Sequence, residues 1–373
     1  MRKIVLSSNT SWSIYNFRLG LVKKLLENYE VIIVAPKDKY SQKLIDLGCG
    51  YYDIYIDNKG TNPINDLKTF WQYYRLYKKI KPDLIFHYTI KSNIYGTIAA
   101  KLNNILSIAI TTGLGYAFIN NNLISKIVKF LYKFSFKFAN QVWFLNQDDY
   151  EVFINQNLIS KEKGYILPSE GINTEEFKPM NIEKKDNIFR FLLIARILWD
   201  KGIGEYVKAA KIIKQKYQNV EFLLLGAVGV DNPTVISKEQ IDKWVGEGIV
   251  KYLGVTDNVK SEIAKADCVV LPSYYREGIP RVLLEAAAME KPIITTDNVG
   301  CRDVVDDGVN GLLCKPRDYR DLVDKMEKML NLSEEERIKM GKRGREKIIR
   351  EFDERIVIKK YLETIDKILG NIV

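Results

Sequence analysis

Residues 267–296, DCVVLPSYYREGIPRVLLEAAAMEKPIITT, predict a strand, a turn, a helix and a second strand in that order. CVVL is short and apolar, as buried strands are, and PIITT is a similar run after the helix. Pro280 suits the start of the helix, because its φ is fixed and it lacks an N–H group that would be unpaired there. A strand, helix, strand unit of this kind predicts a parallel sheet.

The same alternation of apolar runs and helical spacing continues in both directions from this segment. It predicts an α/β fold with two Rossmann-like domains that face a cleft, each with a parallel sheet covered on both sides. The strand-like runs are KIVLSS, EVIIVAP, PDLIFHY, ILSIAITT and QVWFLN in the first half, and FRFLLIAR, VEFLLLGA, IVKYLG, DCVVLPS and KPIITT in the second.

The alternation breaks once, in residues 164–189, which carry two prolines, several charges and little periodicity. A chain of 373 residues exceeds what one core usually supports, so a boundary here is expected. We therefore predict a first domain over residues 1–170, a second over 188–352, and a C-terminal helix over 353–373.

The composition is that of a globular protein and limits the classes of site. The net charge of +10 favours anionic partners such as phosphorylated substrates or acidic lipids, although a lysine-rich solvated surface explains it equally well. The four cysteines form no C-x-x-C pair, so a zinc or disulfide framework is not expected. The start of the chain does not resemble a signal peptide, and no apolar run suits a bilayer-spanning helix.

Two carboxylates flank the start of the predicted helix. Glu277 lies in the turn just before it, and Glu285 lies about one and a half turns inside it. The first turn of a helix presents free N–H groups and a partial positive charge to an anion. The pair could therefore hold hydroxyls at two points of an elongated ligand with an anionic part between them, or it could be an ordinary acidic helix start with a surface glutamate.

Two cations follow another predicted strand, FLLIA. Arg196 comes directly after that strand and Lys201 precedes a helix, so both should lie at the same edge of the sheet as Glu277. Such cations would stabilise a diphosphate leaving group, although surface cations beside a turn are also common. No D-x-D triplet stands at a strand end to hold a metal, so we expect neither a metal nor a cofactor.

These two motifs together resemble the signature of the retaining family 4 glycosyltransferases of the GT-B fold. The similarity extends along most of the chain and is greatest to the bacterial α-1,3-N-acetylgalactosaminyltransferases that extend undecaprenyl-diphosphate-linked oligosaccharides. The stretches that carry it include SIYNFR, IKSNIYGTIAAK, TGLGYAF, EGINTEEF, IARILWDKG, DNPTVIS and LPSYYREGIPRVLLEAAAMEKP.

The resemblance implies a role for each residue of the two motifs. Glu277 would hold hydroxyls of the donor sugar, Glu285 would bind the ribose, and Arg196 and Lys201 would neutralise the diphosphate. It also implies metal-independent transfer with retention, and a C-terminal helix that crosses back to the first domain. The backbone that would meet the phosphates and sugar comprises Gly278, Ile279, Pro280 and Val282.

The candidates on the acceptor side lie in the first domain. Arg18, Lys91 and Asn93 could contact a lipid-linked diphosphate, although capping and ordinary packing explain them nearly as well. His87, the only histidine, ends a predicted strand and is either structural or directed to the cleft. The TGLGYAF segment, residues 112–118, predicts a flexible loop at another strand end.

The segment SKIVKFLYKFSFKFAN, residues 125–140, predicts a helix with a basic face. Its lysines fall within an arc of about 80°, with aromatic residues beside them. That pattern suits an anionic lipid surface, or else a domain helix with solvated lysines and a buried aromatic face. The four lysines are Lys126, Lys129, Lys133 and Lys137.

The function expected from the sequence is transfer of a hexose or N-acetylhexosamine, with N-acetylgalactosamine favoured, from a UDP-sugar to an undecaprenyl-diphosphate-linked saccharide. The product would belong to bacterial surface-glycan or protein-glycosylation pathways. We expect a cytoplasmic enzyme held peripherally on the inner face of the cell membrane. A UDP-sugar epimerase on the same scaffold and a basic nucleic-acid-binding protein are the alternatives, although no nucleic-acid-binding module is recognisable.

Overall fold

A computed structural model describes residues 1–57, 62–114, 118, 122–184 and 186–370. The chain divides into two compact units. Unit 1 comprises residues 1–171 together with the C-terminal segment from Glu354, and unit 2 comprises Ile172–Asp353. The predicted TGLGYAF loop lies partly outside the described residues.

The sheet of unit 1 has seven parallel strands in the order β3-β2-β1-β4-β5-β6-β7. The order reverses between β1 and β4, which makes this the topological switch point of the sheet. The strands are β1 Lys3–Ser7, β2 Glu30–Val34, β3 Gly50–Tyr52, β4 Leu84–Tyr88, β5 Leu106–Thr111, β6 Gln141–Phe144 and β7 Gly164–Ile166.

Helices cover this sheet, and polar residues cap several of them. Thr10 and Asn122 each accept a hydrogen bond from a backbone N–H in the first turn of the helix that follows. The helices of unit 1 are α1 Ser11–Leu26, α2 Ser41–Asp46, α3 Pro63–Ile80, a π-helical turn at Ser92–Gly96, α4 Thr97–Leu102, α5 Leu123–Phe136, α6 Gln147–Asn155 and the C-terminal helix Glu354–Gly370.

The C-terminal helix packs within unit 1, as the resemblance implied. Its Tyr361 is buried, and the Tyr361 ring lies 4.9 Å from the ring of Phe86 and 4.8 Å from that of Trp143. The Tyr361 hydroxyl is 3.0 Å from the hydroxyl of Tyr88. The last helix of the chain therefore contributes to the core beside the central strands of the first sheet.

The sheet of unit 2 has six parallel strands in the order β10-β9-β8-β11-β12-β13, with its switch point between β8 and β11. Its strands are β8 Phe189–Ile194, β9 Val220–Leu225, β10 Lys251–Tyr252, β11 Cys268–Leu271, β12 Ile293–Thr296 and β13 Gly311–Cys314. Its helices are a 3₁₀ turn at Trp199–Lys201, α7 Ile203–Lys216, α8 Lys238–Gly246, α9 Val259–Lys265, α10 Arg281–Ala288, α11 Cys301–Val304, α12 Tyr319–Asn331 and α13 Glu334–Glu351.

Apolar side chains fill both faces of the second sheet, as the continuous apolar runs predicted. Residues 171–187 lie between the two predicted domains, but Ile172 and Phe177 are buried in the core of unit 2. The side chain of Arg345 fixes this segment by donating hydrogen bonds to the carbonyl groups of Thr174 and Phe177. The polar residues of this segment predicted a linker, because its packing against unit 2 depends on residues distant in the sequence.

None of the helices within the described ranges has the length and apolar character that a bilayer span requires.

Candidate active site

The predicted donor-site residues lie at the carboxyl edge of the second sheet, on both sides of its switch point. The chain leaves β8 through Arg196 and Lys201, and it leaves neighbouring β11 through Ser273 and Glu277. Ligands of open α/β sheets bind beyond the carboxyl ends of the strands at such a point. The strand order therefore brings together motifs that are far apart in the sequence.

Lys201 and Glu277 form an ion pair across the switch point. Their side chains are only 12% and 13% exposed. The hydroxyl of buried Ser273 donates to Oε1 of Glu277 at 3.0 Å, and the Lys201 ammonium lies 5.2 Å from the centre of the Tyr275 ring. The predicted sugar-binding acid and one of the predicted diphosphate-binding cations thus contact each other directly.

Close backbone approach makes this pairing possible. Gly202, which follows Lys201, has φ +74°, and a Cβ at that position would lie 2.0 Å from the Pro272 carbonyl oxygen. The backbone N–H groups of Tyr274 and Tyr275 donate to the Asp200 carbonyl oxygen at 3.0 and 3.1 Å. Glycine is needed here for both its backbone conformation and its small size.

The segment after β12 supports the same loop from its other side. Asn298 donates its amide to the Tyr275 carbonyl oxygen at 2.9 Å. Gly300, at φ +78°, approaches so closely that an added Cβ would lie 2.2 Å from the Gly278 carbonyl oxygen. The ends of three neighbouring strands of the sheet, β8, β11 and β12, therefore fix the position of the Glu277 loop.

Arg196 is exposed at this edge, unlike Lys201. Burial raises the pKa of Tyr275, the Glu277 carboxylate raises it further, and the positive charge of Arg196 acts in the opposite direction. The charge of Arg196 therefore lies near the same loop, and its side chain is accessible to solvent.

Helix α10 begins one residue later than predicted. Pro280 is the residue before its first turn, with φ −65° and ψ 114°, so it precedes the helix instead of forming its first turn. The side chains of Ile279 and Val282 pack against the apolar core of unit 2. At both positions only the backbone is therefore suited to meet a phosphate or a sugar.

Glu285 is buried in the body of α10. The Nε of Arg281 donates to its carboxylate at 2.9 Å. Burial raises the pKa of Glu285, and Arg281 opposes that increase. Glu277 and Glu285 therefore differ in their cationic partners, Lys201 for the first and Arg281 for the second.

The predicted acceptor-side residues lie in unit 1, and all three are engaged by protein groups. Arg18 is buried, pairs with Glu170, and places its guanidinium carbon 3.8 Å from the centre of the Tyr88 ring. The ammonium of Lys91 lies 2.5 Å from the Asp66 carboxylate.

Asn93 and His87 have structural surroundings. Both side chains are fully buried, and the Asn93 amide exchanges hydrogen bonds of 2.9 and 3.2 Å with the backbone of Ile110. Burial lowers the pKa of His87 to about 3, and the Tyr77 hydroxyl lies 2.9 Å from its Nε2. These contacts give Asn93 a role in holding β5, which differs from the ligand contact predicted for it, and they support the structural interpretation of His87.

Helix α5 carries the four predicted lysines, of which Lys126, Lys133 and Lys137 are exposed and Lys129 is half-buried. The aromatic residues beside them are not buried, because Phe130 is 67% and Phe134 is 43% exposed. The core-facing positions are instead Ser125, Tyr132, Ser135 and Phe136.

Sequence reasoning missed the residues that hold the Glu277 loop in place. Ser273, Tyr275 and Asn298 each follow a strand of the second sheet, and that position was the available signal. Within the described ranges, no group of three His, Cys, Asp or Glu side chains could hold a metal ion.

Two family models match the chain. The model described as "Glycosyl transferases group 1" matches residues 173–347, and "Glycosyl transferase 4-like" matches residues 3–146. The chain is 33% identical to the N,N'-diacetylbacillosaminyl-diphospho-undecaprenol alpha-1,3-N-acetylgalactosaminyltransferase of Campylobacter jejuni, over 98% of each protein. It is 25% identical to the UDP-Gal:alpha-D-GlcNAc-diphosphoundecaprenol alpha-1,3-galactosyltransferase of Escherichia coli, over 90% of each protein.

Among solved structures, a glycosyltransferase from Rickettsia africae superposes with a TM-score of 0.82 and 18% identity, over 99% of each chain. This likeness shows a common fold. The chain belongs to the group 1, family 4-like glycosyltransferases and has their GT-B fold.

Proposed function

We propose that this glycosyltransferase moves N-acetylgalactosamine from its UDP derivative to a saccharide linked to undecaprenyl diphosphate, in the synthesis of a bacterial glycan. The ion pair between Lys201 and Glu277 at the switch point carries the proposal, because the cation proposed to bind the diphosphate and the acid proposed to bind the sugar are in contact there. The C. jejuni and E. coli relatives both have names that specify α-1,3 transfer to a diphospho-undecaprenol-linked sugar. The greater similarity to the C. jejuni enzyme favours N-acetylgalactosamine over galactose.

The donor would bind through opposite charges. Arg196 and Lys201 would take the diphosphate, with the exposed Arg196 available at once and Lys201 exchanging its carboxylate partner for phosphate. The backbone from Gly278 to the first turn of α10 adds N–H groups at a partially positive helix end. Glu277 would then accept hydrogen bonds from hydroxyls of the sugar, and Glu285 from those of the ribose.

Transfer with retention would proceed on one face of the sugar. The bond from the anomeric carbon to the β-phosphate oxygen breaks as the acceptor oxygen forms a new bond on the same face. The acceptor proton passes to the departing phosphate, and UDP leaves with it. The protein's part is to stabilise the charge that grows on the phosphate, and a cation about 4 Å away contributes roughly 4 kcal/mol at an effective dielectric constant of about 20.

This arrangement of cations requires no metal ion for diphosphate binding, so we propose metal-independent transfer. The measurement is the transfer rate after removal of divalent ions with EDTA. An unchanged rate supports the proposal, and a loss restored by Mg²⁺ or Mn²⁺ contradicts it.

We also propose that helix α5 attaches the enzyme to the inner face of the cell membrane. On a helical wheel, four of its five exposed apolar residues lie opposite the core-facing residues, with the lysine arc on one side of them and Ile124 on the other. An exposed apolar face edged by lysines suits the interface of an anionic bilayer, where each lysine contributes about 1 kcal/mol. The exposed apolar residues are Leu123, Ile124, Ile127, Phe130 and Phe134.

Helix α3 presents a second apolar stripe on the same side of the first sheet. The connections from β3 to β4 and from β5 to β6 run in the same direction across the sheet, so right-handed crossovers place α3 and α5 on one face. Ile64, Leu67 and Trp71, spaced three and four residues apart, are exposed on α3. The two helices together widen the surface that could rest on lipid.

The activity is tested with UDP-N-acetylgalactosamine and undecaprenyl diphosphate carrying N,N'-diacetylbacillosamine, the acceptor in the name of the C. jejuni relative. The expected result is UDP release that requires acceptor, with a product one N-acetylhexosamine larger and α-linked. Conversion of the UDP-sugar without acceptor would indicate an epimerase. A panel of UDP-sugars then determines the donor.

Membrane attachment is tested by sedimentation with anionic and neutral vesicles. Replacing Phe130 and Phe134 by serine should weaken binding to anionic vesicles at least tenfold, because burying one large apolar side chain contributes about 1.5–3 kcal/mol. Replacing all four α5 lysines by glutamate should release the protein from anionic vesicles. Ile349→Ser, at an exposed apolar position in unit 2, is the matched control and should bind like the wild type. Unchanged binding of both α5 variants would contradict the proposal.

A further inference from the structure

Thr89 has a backbone conformation that is unusual for its residue type. Its φ is +70°, in the left-handed region that β-branched residues avoid. Six other non-glycine residues among those described share a positive φ, and Thr89 alone of the set is β-branched. Four of the six close a helix C-terminus, where this conformation is ordinary, whereas Thr89 follows strand β4. The six are Lys81, Asn104, Asn157, Ser169, Glu290 and Arg317.

The side chain of Thr89 has no structural use that explains this conformation. Its hydroxyl oxygen is shielded from solvent and has no hydrogen-bond partner in the part of the chain that the structure describes. The backbone is used, since the Thr89 carbonyl accepts the Asn93 N–H at 2.9 Å, but glycine would serve that turn without strain. Strained residues and unsatisfied polar groups concentrate at functional sites.

Thr89 lies at the topological switch point of the first sheet. The strand register pairs Ser7 of β1 with His87 of β4, so Ser8 and Asn9 leave the sheet beside Tyr88 and Thr89. This is the edge where an open α/β sheet binds its ligand. Thr89 therefore occupies in unit 1 the position that the Lys201–Glu277 pair occupies in unit 2.

The groups around this point favour a neutral, polar ligand. The hydroxyls of Ser8 and Ser13 lie 2.8 Å apart beside the amide of Asn9. The nearby cations Arg18 and Lys91 each pair with a carboxylate. Hydroxyl and amide groups of this kind match the hydroxyl and acetamido groups of an N-acetylated sugar.

We propose that Thr89 positions the acceptor saccharide by a hydrogen bond from its hydroxyl, which its strained backbone holds at the switch point. The proposal rests on the proposed function, because it requires a saccharide acceptor. Since the hydroxyl oxygen is shielded, the contact requires rotation about χ1 to another staggered rotamer. Thr89 would determine how well the acceptor is placed and would have no part in donor binding.

The test is steady-state kinetics with undecaprenyl diphosphate carrying N,N'-diacetylbacillosamine as the varied acceptor. Thr89→Val, which keeps the shape and removes the hydroxyl, should lower kcat/KM for acceptor at least tenfold and leave KM for UDP-N-acetylgalactosamine and Tm unchanged. Thr89→Ser should retain most of the activity. Thr89→Gly should raise Tm while acceptor kcat/KM falls, because it relieves the strain and loses the hydroxyl.

Thr69→Val is the matched control, because the hydroxyl of buried Thr69 has two backbone carbonyl groups as hydrogen-bond acceptors. It should lower Tm without changing the KM for acceptor. Two results would overturn the proposal. One is a kcat/KM for acceptor in Thr89→Val that equals the wild-type value. The other is a lower Tm in both Thr89→Val and Thr89→Gly with an unchanged KM for acceptor. If the wild type itself transfers no sugar to this acceptor, the proposed function fails instead.

Discussion

Removing the Lys201 ammonium should weaken UDP binding for two separate reasons. The first is the lost attraction to the diphosphate. The second is that the Glu277 carboxylate, which is 13% exposed, is left without its cationic partner and repels the incoming phosphates. Unit charges about 4 Å apart interact by roughly 4 kcal/mol at an effective dielectric constant of about 20, so both effects are substantial.

The net effect is smaller than the Coulomb energy, because the ammonium also loses water when it pairs. Truncating one member of a buried charge pair typically weakens binding by about 2–5 kcal/mol. We therefore expect Lys201→Ala to raise the Kd for UDP by about 100-fold, or about 3 kcal/mol. Adding Glu277→Gln should recover about half of that loss, which is about tenfold.

The assay is titration calorimetry of UDP with the wild type, the two single variants and the double variant. Glu277→Gln alone should bind UDP at least as tightly as the wild type, because it removes a negative charge, while its sugar transfer is lost. Lys208→Ala, an exposed lysine of α7, changes the net charge equally and should leave the affinity unchanged. If the double variant binds UDP no better than Lys201→Ala, the two charges do not act on one ligand and the reasoning is refuted.

Three further predictions follow from burial and backbone geometry. Burial raises the pKa of Glu285, so UDP affinity should fall as the pH is lowered, beginning at a higher pH than for an ordinary glutamate. Calorimetry of UDP binding at several pH values should show that Glu285→Gln lacks this part of the pH dependence. Burial lowers the pKa of His87 from 6.5 to about 3, so its contribution to stability is complete above pH 6.5 and declines as the pH falls toward 3. Between pH 7 and pH 5 this amounts to about 2 kcal/mol of unfolding free energy, which urea titration of a His87→Gln variant should lack. Gly202→Ala should reduce both UDP affinity and Tm, because its Cβ would meet the Pro272 carbonyl. Gly229 has a similar φ and open space around it, so Gly229→Ala should change only Tm. Equal UDP affinities of the two variants would contradict this account.

The two sheets could be predicted from sequence because buried parallel strands are continuous apolar runs between helical segments. The ion pair between Lys201 and Glu277 could not, because the two residues are 76 positions apart. Their contact depends on β11 lying beside β8 although β9 and β10 intervene along the chain. Local patterns placed each residue at a strand end, and only the strand order made them partners.

Helix α5 shows a different limit of sequence reasoning. Its lysine arc is visible in the sequence, but apolar residues occupy more than one side of the helix, so the spacing does not decide which side faces the core. The structure buries Tyr132 and Phe136 and leaves Phe130 and Phe134 exposed. Packing of Tyr132 and Phe136 in the core determines which side is buried. The exposed surface of the helix is therefore both basic and apolar.

Three of the cations predicted to contact a diphosphate share a property that affects ligand selection. Lys201 pairs with Glu277, Lys91 with Asp66 and Arg18 with Glu170, so a ligand must displace a carboxylate before it gains the cation. A diphosphate with two or three charges can outcompete a single carboxylate, whereas a neutral sugar or a single carboxylate gains little by the exchange. The free-energy cost of displacing the carboxylate is the same for every ligand that makes the exchange, so it lowers the absolute affinity of each nucleotide. Glu277→Gln, in which Lys201 has no carboxylate to give up, should therefore bind both UDP and UMP more tightly than the wild type does, and unchanged affinities for both nucleotides would show that no exchange occurs.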